Sequence, residues 1–438
     1  MQTKWFVYAV IFLSFLHGES YTLADLCKKG LDNNPRIKSF RHRTLASTSV
    51  YDQSIDQYKP HLSANGQVDR QKYHFSSASG VITPINGTTY NYKFTMNQPI
   101  YSAKLLEGIT DAKAREKLAG MQEEDEKAKL VMQILQVTVE VSRLKQTISI
   151  LEKKVSVLKK AYENIRKKHA VKLSPQADKF QALSMYQQAR SQLLNEKQNY
   201  NYNLYNLRLL TKYKDVDKYL TSIDFYMPAV EKAFQNINLT KLKADIKDNT
   251  RIKLDKQGME IAKIQIGLRD TEWQPEVSAV LSYNDSGGSI DNVTRENESH
   301  AMITVNFPFY QGGYVRDRVE EARFLFFAAR DDAENSQQSI MISMEKALQN
   351  IKGGIESVKA DKLAVNASKK YFEGAIINYQ SGMQSLTDTY LAEADYRDNQ
   401  LRLINDKAAV FASLVEIYYF IGKSNYTGVK KLQKKFLR

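Results

Sequence analysis

Residues 130–165 read LVMQILQVTVEVSRLKQTISILEKKVSVLKKAYENI. Within them Leu130, Ile134, Val137, Val141, Leu144, Ile148, Leu151, Val155, Leu158, Tyr162 and Ile165 are spaced four, three, four, three without interruption. This is an a/d seam sustained over about five heptads, and a helix of that period buries its seam only against other helices. From about Ser102 to Val171 there is no proline, and the only glycines are Gly108 and Gly120. The spacing therefore predicts one helix of nearly seventy residues, roughly 100 Å at 1.5 Å per residue. Taken alone, the seam fits a structural coiled coil joining two chains.

Upstream, the text from Thr22 is helical, with Leu23, Leu26, Gly30 and Leu31 on one side. Asn34-Pro35 punctuates it, and a second helical run reaches about Tyr58 before Lys59-Pro60 ends it. There the period changes to two. Leu62, Ala64, Gly66 and Val68 alternate with Ser63, Asn65, Gln67 and Asp69; Tyr90, Tyr92, Phe94 and Met96 alternate with Asn91, Lys93, Thr95 and Asn97. This predicts a hairpin over 61–100 around a loop from His74 to Gly87, followed by the long helix at about 102–171. Ser174-Pro175 then offers an N-cap and a first-turn proline. A return helix is expected at about 175–213, running back through Phe180, Leu183, Leu193 and Leu204, with a weakly periodic connection from Lys214 to Asn238.

The programme then repeats. Asn34 and Asn249 stand 215 residues apart, as do Pro60 and Pro275. Val277, Ala279, Leu281 and Tyr283, then Ala301, Ile303, Val305 and Phe307, predict a second hairpin over 276–310 around a Gly/Ser/Asn-rich loop, Ser286 to Ser299. A second long helix at about 311–379 and a return helix at about 385–421 follow. The chain reads as an internal duplication: repeat one at 21–230, repeat two at 231–422, and a basic C-terminal tail at 423–438, expected to be poorly ordered.

The chain has 438 residues, and 63 Lys+Arg against 49 Asp+Glu give a net charge of +14. The lysines are scattered along helical stretches and form no nucleic-acid motif, so the basic balance reads as a solvated outer face and no nucleic-acid partner is expected. The six histidines are dispersed. No P-loop, no clustered His/Cys ligands and no nucleophile motif is present, so neither enzymatic chemistry nor a cofactor or metal is expected. Residues 1–20, with Lys4 ahead of the apolar run Trp5 to Leu16, read as a secretory signal peptide. Cys27 is the single cysteine, so no intrachain disulfide is possible; a half-buried thiol is expected.

Strands of about ten residues with one apolar and one polar face fit two readings, soluble hairpins capping a coiled coil or transmembrane β-strands. The signal peptide favours the second. One chain supplies only four such strands, whereas the smallest closed membrane barrels have about eight, and an open edge in lipid leaves backbone groups unpaired. The barrel must then be shared between chains. The fold class expected is an α+β membrane protein: a long antiparallel α-helical coiled-coil tunnel, with two β-hairpins contributing four strands per chain to a trimeric twelve-stranded outer-membrane barrel. The competing reading is a non-conducting periplasmic coiled-coil structural or adaptor protein.

Five motifs, in order, carry a resemblance over essentially all of the mature chain. They are Leu23-Ala24-Asp25-Leu26, Asn34-Pro35, Tyr58-Lys59-Pro60, Gln98-Pro99-Ile100-Tyr101, and Phe307-Pro308-Phe309-Tyr310-Gln311-Gly312-Gly313. The sequence resembles the TolC-like outer-membrane efflux proteins. The resemblance implies a homotrimeric conduit in the outer membrane of a Gram-negative bacterium, embedded in outer-membrane lipid. It also implies an extension into the periplasm and docking there on an adaptor protein and an inner-membrane pump, for drug efflux or type I secretion. It further implies a gate at the periplasmic helix turns. Tyr379-Gln380-Ser381-Gly382 resembles the family's Tyr-x-x-Gly turn, and Asp178 and Asp388 sit at matching places after the two turns. Gln384 stands where some members have an arginine, and Leu391 where a second acidic residue is found. Asp178, Tyr379, Gln384 and Asp388 are therefore the gate candidates, with an Asp178–Tyr379 hydrogen bond expected. First-turn helix acids favoured by the local dipole are the alternative reading of the two aspartates. Lys153, Lys154, Lys159, Lys160, Lys167, Lys168 and Lys172 read as a wet surface near the same tip, with part of the run expected to meet an acidic adaptor hairpin.

Overall fold

The computed structural model of the chain describes residues 22–76, 82–220, 225–235, 242, 244–289 and 295–436. The expected signal peptide, the centres of both hairpin loops (77–81 and 290–294) and parts of the connecting segment lie outside the described residues. In order run α1 (Leu23–Asn33), α2 (Pro35–Asp56), β1 (His61–Ser76), β2 (Ile82–Ser102), α3 (Ala103–Ala170), α4 (Gln176–Thr211) and α5 (Met227–Gln235). After them come α6 (Thr250–Asp270), β3 (Glu276–Gly288), β4 (Glu296–Asn306), α7 (Tyr314–Gln380), α8 (Leu386–Phe420) and α9 (Tyr426–Phe436). The long helices α3 and α7 have 68 and 67 residues.

Two compact units share these elements. One comprises Phe40–Glu123 and Leu254–Ser336 and carries the sheet. Its strands lie in the order β1-β2-β3-β4, each antiparallel to its neighbour, so the two duplicated hairpins pair with one another along β2–β3. The register sets Leu62 opposite Met96, Ala64 opposite Phe94 and Val68 opposite Tyr90. It also sets Phe94 opposite Tyr283, Met96 opposite Leu281, Ala279 opposite Ile303 and Val277 opposite Val305. Directly opposed residues share a face, so every apolar row of the sequence falls on one side of the sheet and the polar rows on the other. Only near Pro99 does the ladder slip. Proline has no N–H to donate, and an irregularity is the usual accommodation. Below the strands, alanines 112, 114 and 322 are buried with Ile261, and the buried Gln257 Nε2 donates to the Ala114 carbonyl at 3.2 Å.

The other unit runs up to Ser39 and takes in Glu124–Lys253 and everything from Gln337. Its core draws Leu26 from α1, Ile37 from α2, Ile134 and Val141 from α3, Leu207 from α4, Leu348 and Ile351 from α7, and Phe411 and Leu414 from α8. The quoted seam lies here. Leu144, Leu151, Leu158 and Ile165 are buried, whereas Ile148, Val155 and Tyr162 are only half-buried. A second internal echo joins the repeats. Asn34 Nδ2 donates to the Leu210 carbonyl at 2.8 Å and its Oδ1 accepts from Arg36 N; Asn249 Nδ2 donates to the Tyr419 and Phe420 carbonyls and its Oδ1 accepts from Arg251 N. Each asparagine thus caps an incoming helix and ties up the last carbonyls of a return helix, which otherwise lack partners.

Five expectations are corrected. The loops read at 74–87 and 286–299 are shorter, because the antiparallel ladder extends β1 to Ser76, starts β2 at Ile82, extends β3 to Gly288 and starts β4 at Glu296. Residues 426–436 form the helix α9, because Val429, Leu432 and Phe436, spaced three and four, make an apolar stripe between the lysines; all three are buried. Its Gln433 accepts from Leu23 N at 2.9 Å, and the Phe436 carbonyl accepts from Tyr226 N at 3.0 Å. The N-cap of α4 is Pro175 without a side-chain cap, since the Ser174 hydroxyl is engaged one turn on by Asp178. The buried positions of α4 include Ala182 and Ala189, while Phe180 is 53% exposed: small side chains let neighbouring helices approach closely. Cys27 is fully buried rather than half-buried, and burial pushes its thiol up to about 12.

Candidate functional site

Two regions of the chain are candidates for function: the faces of the sheet, and the helix turns at 171–175 and 381–385.

On the sheet, the apolar side carries Leu62, Phe94, Met96, Leu281, Tyr283 and Ile303, all but Met96 with at least 40% of their surface uncovered. The opposite side carries serine, asparagine, glutamine and threonine, with Lys93, Glu298 and His300 among them. A sheet bare on its apolar side, with outer edges on β1 and β4 that no strand among the described residues pairs, is an incomplete structure in water or in lipid.

At the turns the duplication is in strict register, since Lys172 and Gly382, like Asp178 and Asp388, are 210 residues apart. Each long helix ends in a Schellman motif. Leu173 N donates to the Lys168 carbonyl at 2.8 Å and Met383 N to the Asn378 carbonyl at 2.8 Å, with Lys172 N and Gly382 N closing the inner bonds to His169 and Tyr379. The residue at the left-handed position is Lys172 at φ 61° in the first repeat and Gly382 at φ 78° in the second. Tyr-x-x-Gly is therefore the local code of this cap, with Tyr379 giving the accepting carbonyl and Gly382 the backbone freedom.

Both aspartates sit in the first turn of a return helix, where the helix dipole favours a carboxylate. Asp178 accepts from the Ser174 hydroxyl at 3.1 Å. Asp388 accepts from the Ser385 hydroxyl at 2.7 Å while Ser385, the N-cap, accepts from Asp388 N at 3.1 Å. The structure brings these two acids to one cavity of about 370 Å³, lined also by Lys168, by Leu158 and Ile165 of the seam and by the neighbouring Ala161. Tyr379 and Gln384 do not line it. Tyr379 is 43% exposed, and among the described residues the chain forms no Asp178–Tyr379 hydrogen bond.

Side chains to which the sequence reading gave no part in packing tie these helices to one another. The buried Thr389 hydroxyl, one residue beyond Asp388, donates to the Ala375 carbonyl at 3.3 Å and fastens α8 to α7. Lys154, expected on a wet surface, has a side chain only 14% exposed and pairs with Asp398 at 2.5 Å, linking α3 to α8. Lys197 and Glu152 pair at 2.7 Å between α4 and α3. The only available signal was spacing along helices whose mutual rotation the sequence does not report. Among the described residues no cluster of three or more metal-ligating side chains occurs.

A family model described as "Outer membrane efflux protein" matches residues 26–211 and 249–423. The outer membrane protein TolC of Salmonella enteritidis is 23% identical over 219 residues, 48% of this chain and 43% of that protein. TolC of Vibrio cholerae is 24% identical over 198 residues, 44% of this chain and 42% of that protein. The chain thus spans less than half the length of these curated relatives. Among solved structures, a membrane protein from Pseudomonas aeruginosa superposes with a TM-score of 0.77 at 17% identity, covering 93% of this chain and 94% of that one. The Campylobacter jejuni CmeC outer membrane channel gives 0.76 at 16% identity, covering 94% and 89%. These similarities establish the fold.

Proposed function

The chain belongs to the outer membrane efflux protein family, and from that premise we propose that three copies close into a twelve-stranded outer-membrane barrel continued by a helical tunnel, a conduit for substrates handed over by a periplasmic adaptor and an inner-membrane pump. The observation that carries this reading is the sheet: four antiparallel strands, one continuous apolar face and two unpaired edges. Lipid satisfies the face, and strands from sister copies satisfy the edges. Two copies would give eight strands, a barrel filled by its own side chains; three give twelve and leave a lumen. The half-buried seam residues Ile148, Val155 and Tyr162 agree with helices that await neighbours. In this role the protein guides passage and performs no chemistry.

The gate belongs to the same proposal. Asp178 and Asp388, repeated around a three-fold axis, would form an acidic constriction, with Gln384 beside it and Asp178 reaching Tyr379 of a neighbouring helix pair in the closed trimer. The test is extraction followed by single-channel recording. The protein is expected in the detergent-soluble membrane fraction as a cross-linkable trimer that conducts, and Asp178→Ala and Tyr379→Phe should raise its conductance. A monomer in the periplasmic fraction would instead favour a non-conducting coiled-coil protein. Unchanged conductance in both variants would overturn the gate assignment alone.

A further inference from the structure

The apolar face of β1 does not end in loop but in charge. Leu62, Ala64, Gly66 and Val68 occupy alternate positions of one face, and the next two positions of that face are Arg70 and Lys72, both exposed. Their partners across β2 are Thr88 and Asn86, both uncharged. Among the described residues neither cation has a carboxylate within 4 Å, in contrast to Arg295 on the second hairpin, which is paired with Asp285 at 2.6 Å. Asp69 and Gln71 belong to the opposite, polar face.

Their height is telling. Arg70 and Lys72 lie eight and ten residues beyond Leu62, roughly 27 and 34 Å along a strand rising 3.4 Å per residue. With the strand tilted by about 40°, these become roughly 21 and 26 Å along the barrel axis, the upper edge of an apolar band about 25 Å tall. Tyr90 and Tyr92, with ring centroids 5.6 Å apart, lie just below on the adjacent strand, where an interfacial aromatic girdle belongs. The four-stranded part of the sheet stops at the row Asn91–Ser286–Glu296, β3 follows β2 as far as the Thr89–Gly288 pair, and the first hairpin continues past it. All helices join the sheet at its other end, so this end faces outward.

We propose that Arg70 and Lys72, with Thr88 and Asn86 opposite, form a binding site on the outer wall of the barrel for the phosphate of a phosphorylated glycolipid in the outer leaflet. Arginine supplies a fork of donors that matches a phosphate, lysine a second positive charge, and the tyrosines and the Val68 row an apolar wall for the acyl chains. Once per subunit, the site occurs three times around the trimer. The inference rests on the barrel reading of the preceding subsection.

The test uses the full-length trimer in detergent, titrated with purified diphosphorylated lipid A, its dephosphorylated form, and inorganic phosphate, with lipid adducts counted by native mass spectrometry. Wild type should retain up to three phosphorylated lipids and dissociate on heating at a higher temperature in their presence. Neither the dephosphorylated lipid nor inorganic phosphate should reproduce this. With each interfacial cation contributing about fivefold, affinity should fall about twenty-five-fold in Arg70→Gln/Lys72→Gln. Arg70→Lys should keep most of it, and Lys93→Gln, on the polar face of β2, should change nothing. Equal binding by the double variant, or equal stabilisation by free phosphate, would overturn the proposal. Channel conductance of the wild type separates the two levels: a conducting wild-type trimer that retains no phosphorylated lipid refutes only this site, whereas no trimer even in wild type refutes the barrel.

Discussion

Replacing Phe436 by alanine should undock the C-terminal helix α9. The ring is 2% exposed and closes the stripe begun by Val429 and Leu432, while its backbone carbonyl receives Tyr226 N. A phenyl group of this kind covers roughly 200 Å², worth about 5 kcal/mol at about 25 cal/mol per Å². Alanine keeps a little of that and the site relaxes in part, so the expected loss is about 4 kcal/mol, within the range of such truncations. Besides Phe436, docking of this eleven-residue helix draws on Val429, Leu432 and the hydrogen bonds from Leu23 N and Tyr226 N, and the short helix is marginal by itself. The assay is amide hydrogen exchange on the detergent-solubilised trimer. A loss of about 4 kcal/mol corresponds to roughly 10³-fold faster exchange across 426–436, with smaller acceleration in α1 and α5, against which the helix packs. Lys430→Ala, on the exposed side of the same helix, should shift exchange by less than about threefold. Unchanged protection in Phe436→Ala would refute the assignment of α9 as a docked element and restore the poorly ordered tail.

Two further outcomes follow from single positions. Gly382→Ala forces a side chain into φ 78° and should loosen the cap at the end of α7 by about 1–2 kcal/mol, seen as faster exchange over residues 376–384, whereas Lys172→Gly in the first repeat should be close to neutral, because the strain relieved is offset by a more flexible unfolded chain. Cys27 should resist thiol reagents at pH 8 until the protein is denatured. Because its folded value lies above the unfolded one, the stability it contributes is complete below about pH 9 and is lost as pH rises toward about 12; thiol labelling followed against pH should show protection over the lower range, and rapid native-state labelling at pH 8 would refute the burial of α1.

The alternation of Leu62–Val68, the unbroken heptads of Leu130–Ile165 and the recurrence of Asn34 and Pro60 at Asn249 and Pro275 determined the element types, their order and the duplication, because each is a periodicity that backbone geometry imposes locally. Composition misled at the C-terminus, where lysines at 430, 431, 434 and 435 masked a three-residue apolar stripe. What only the tertiary structure decided are relations between distant segments: that β2 pairs with β3, that Asp178 and Asp388 share one cavity while Tyr379 stands apart, that Lys154 meets Asp398 and Thr389 meets Ala375. Rotation of a long helix about its axis chooses which face meets which neighbour, and a shift of one residue turns it by about 100°. The periodic sequence fixes that a seam exists, but the packing of several seams together selects the rotation, and with it the residues that touch.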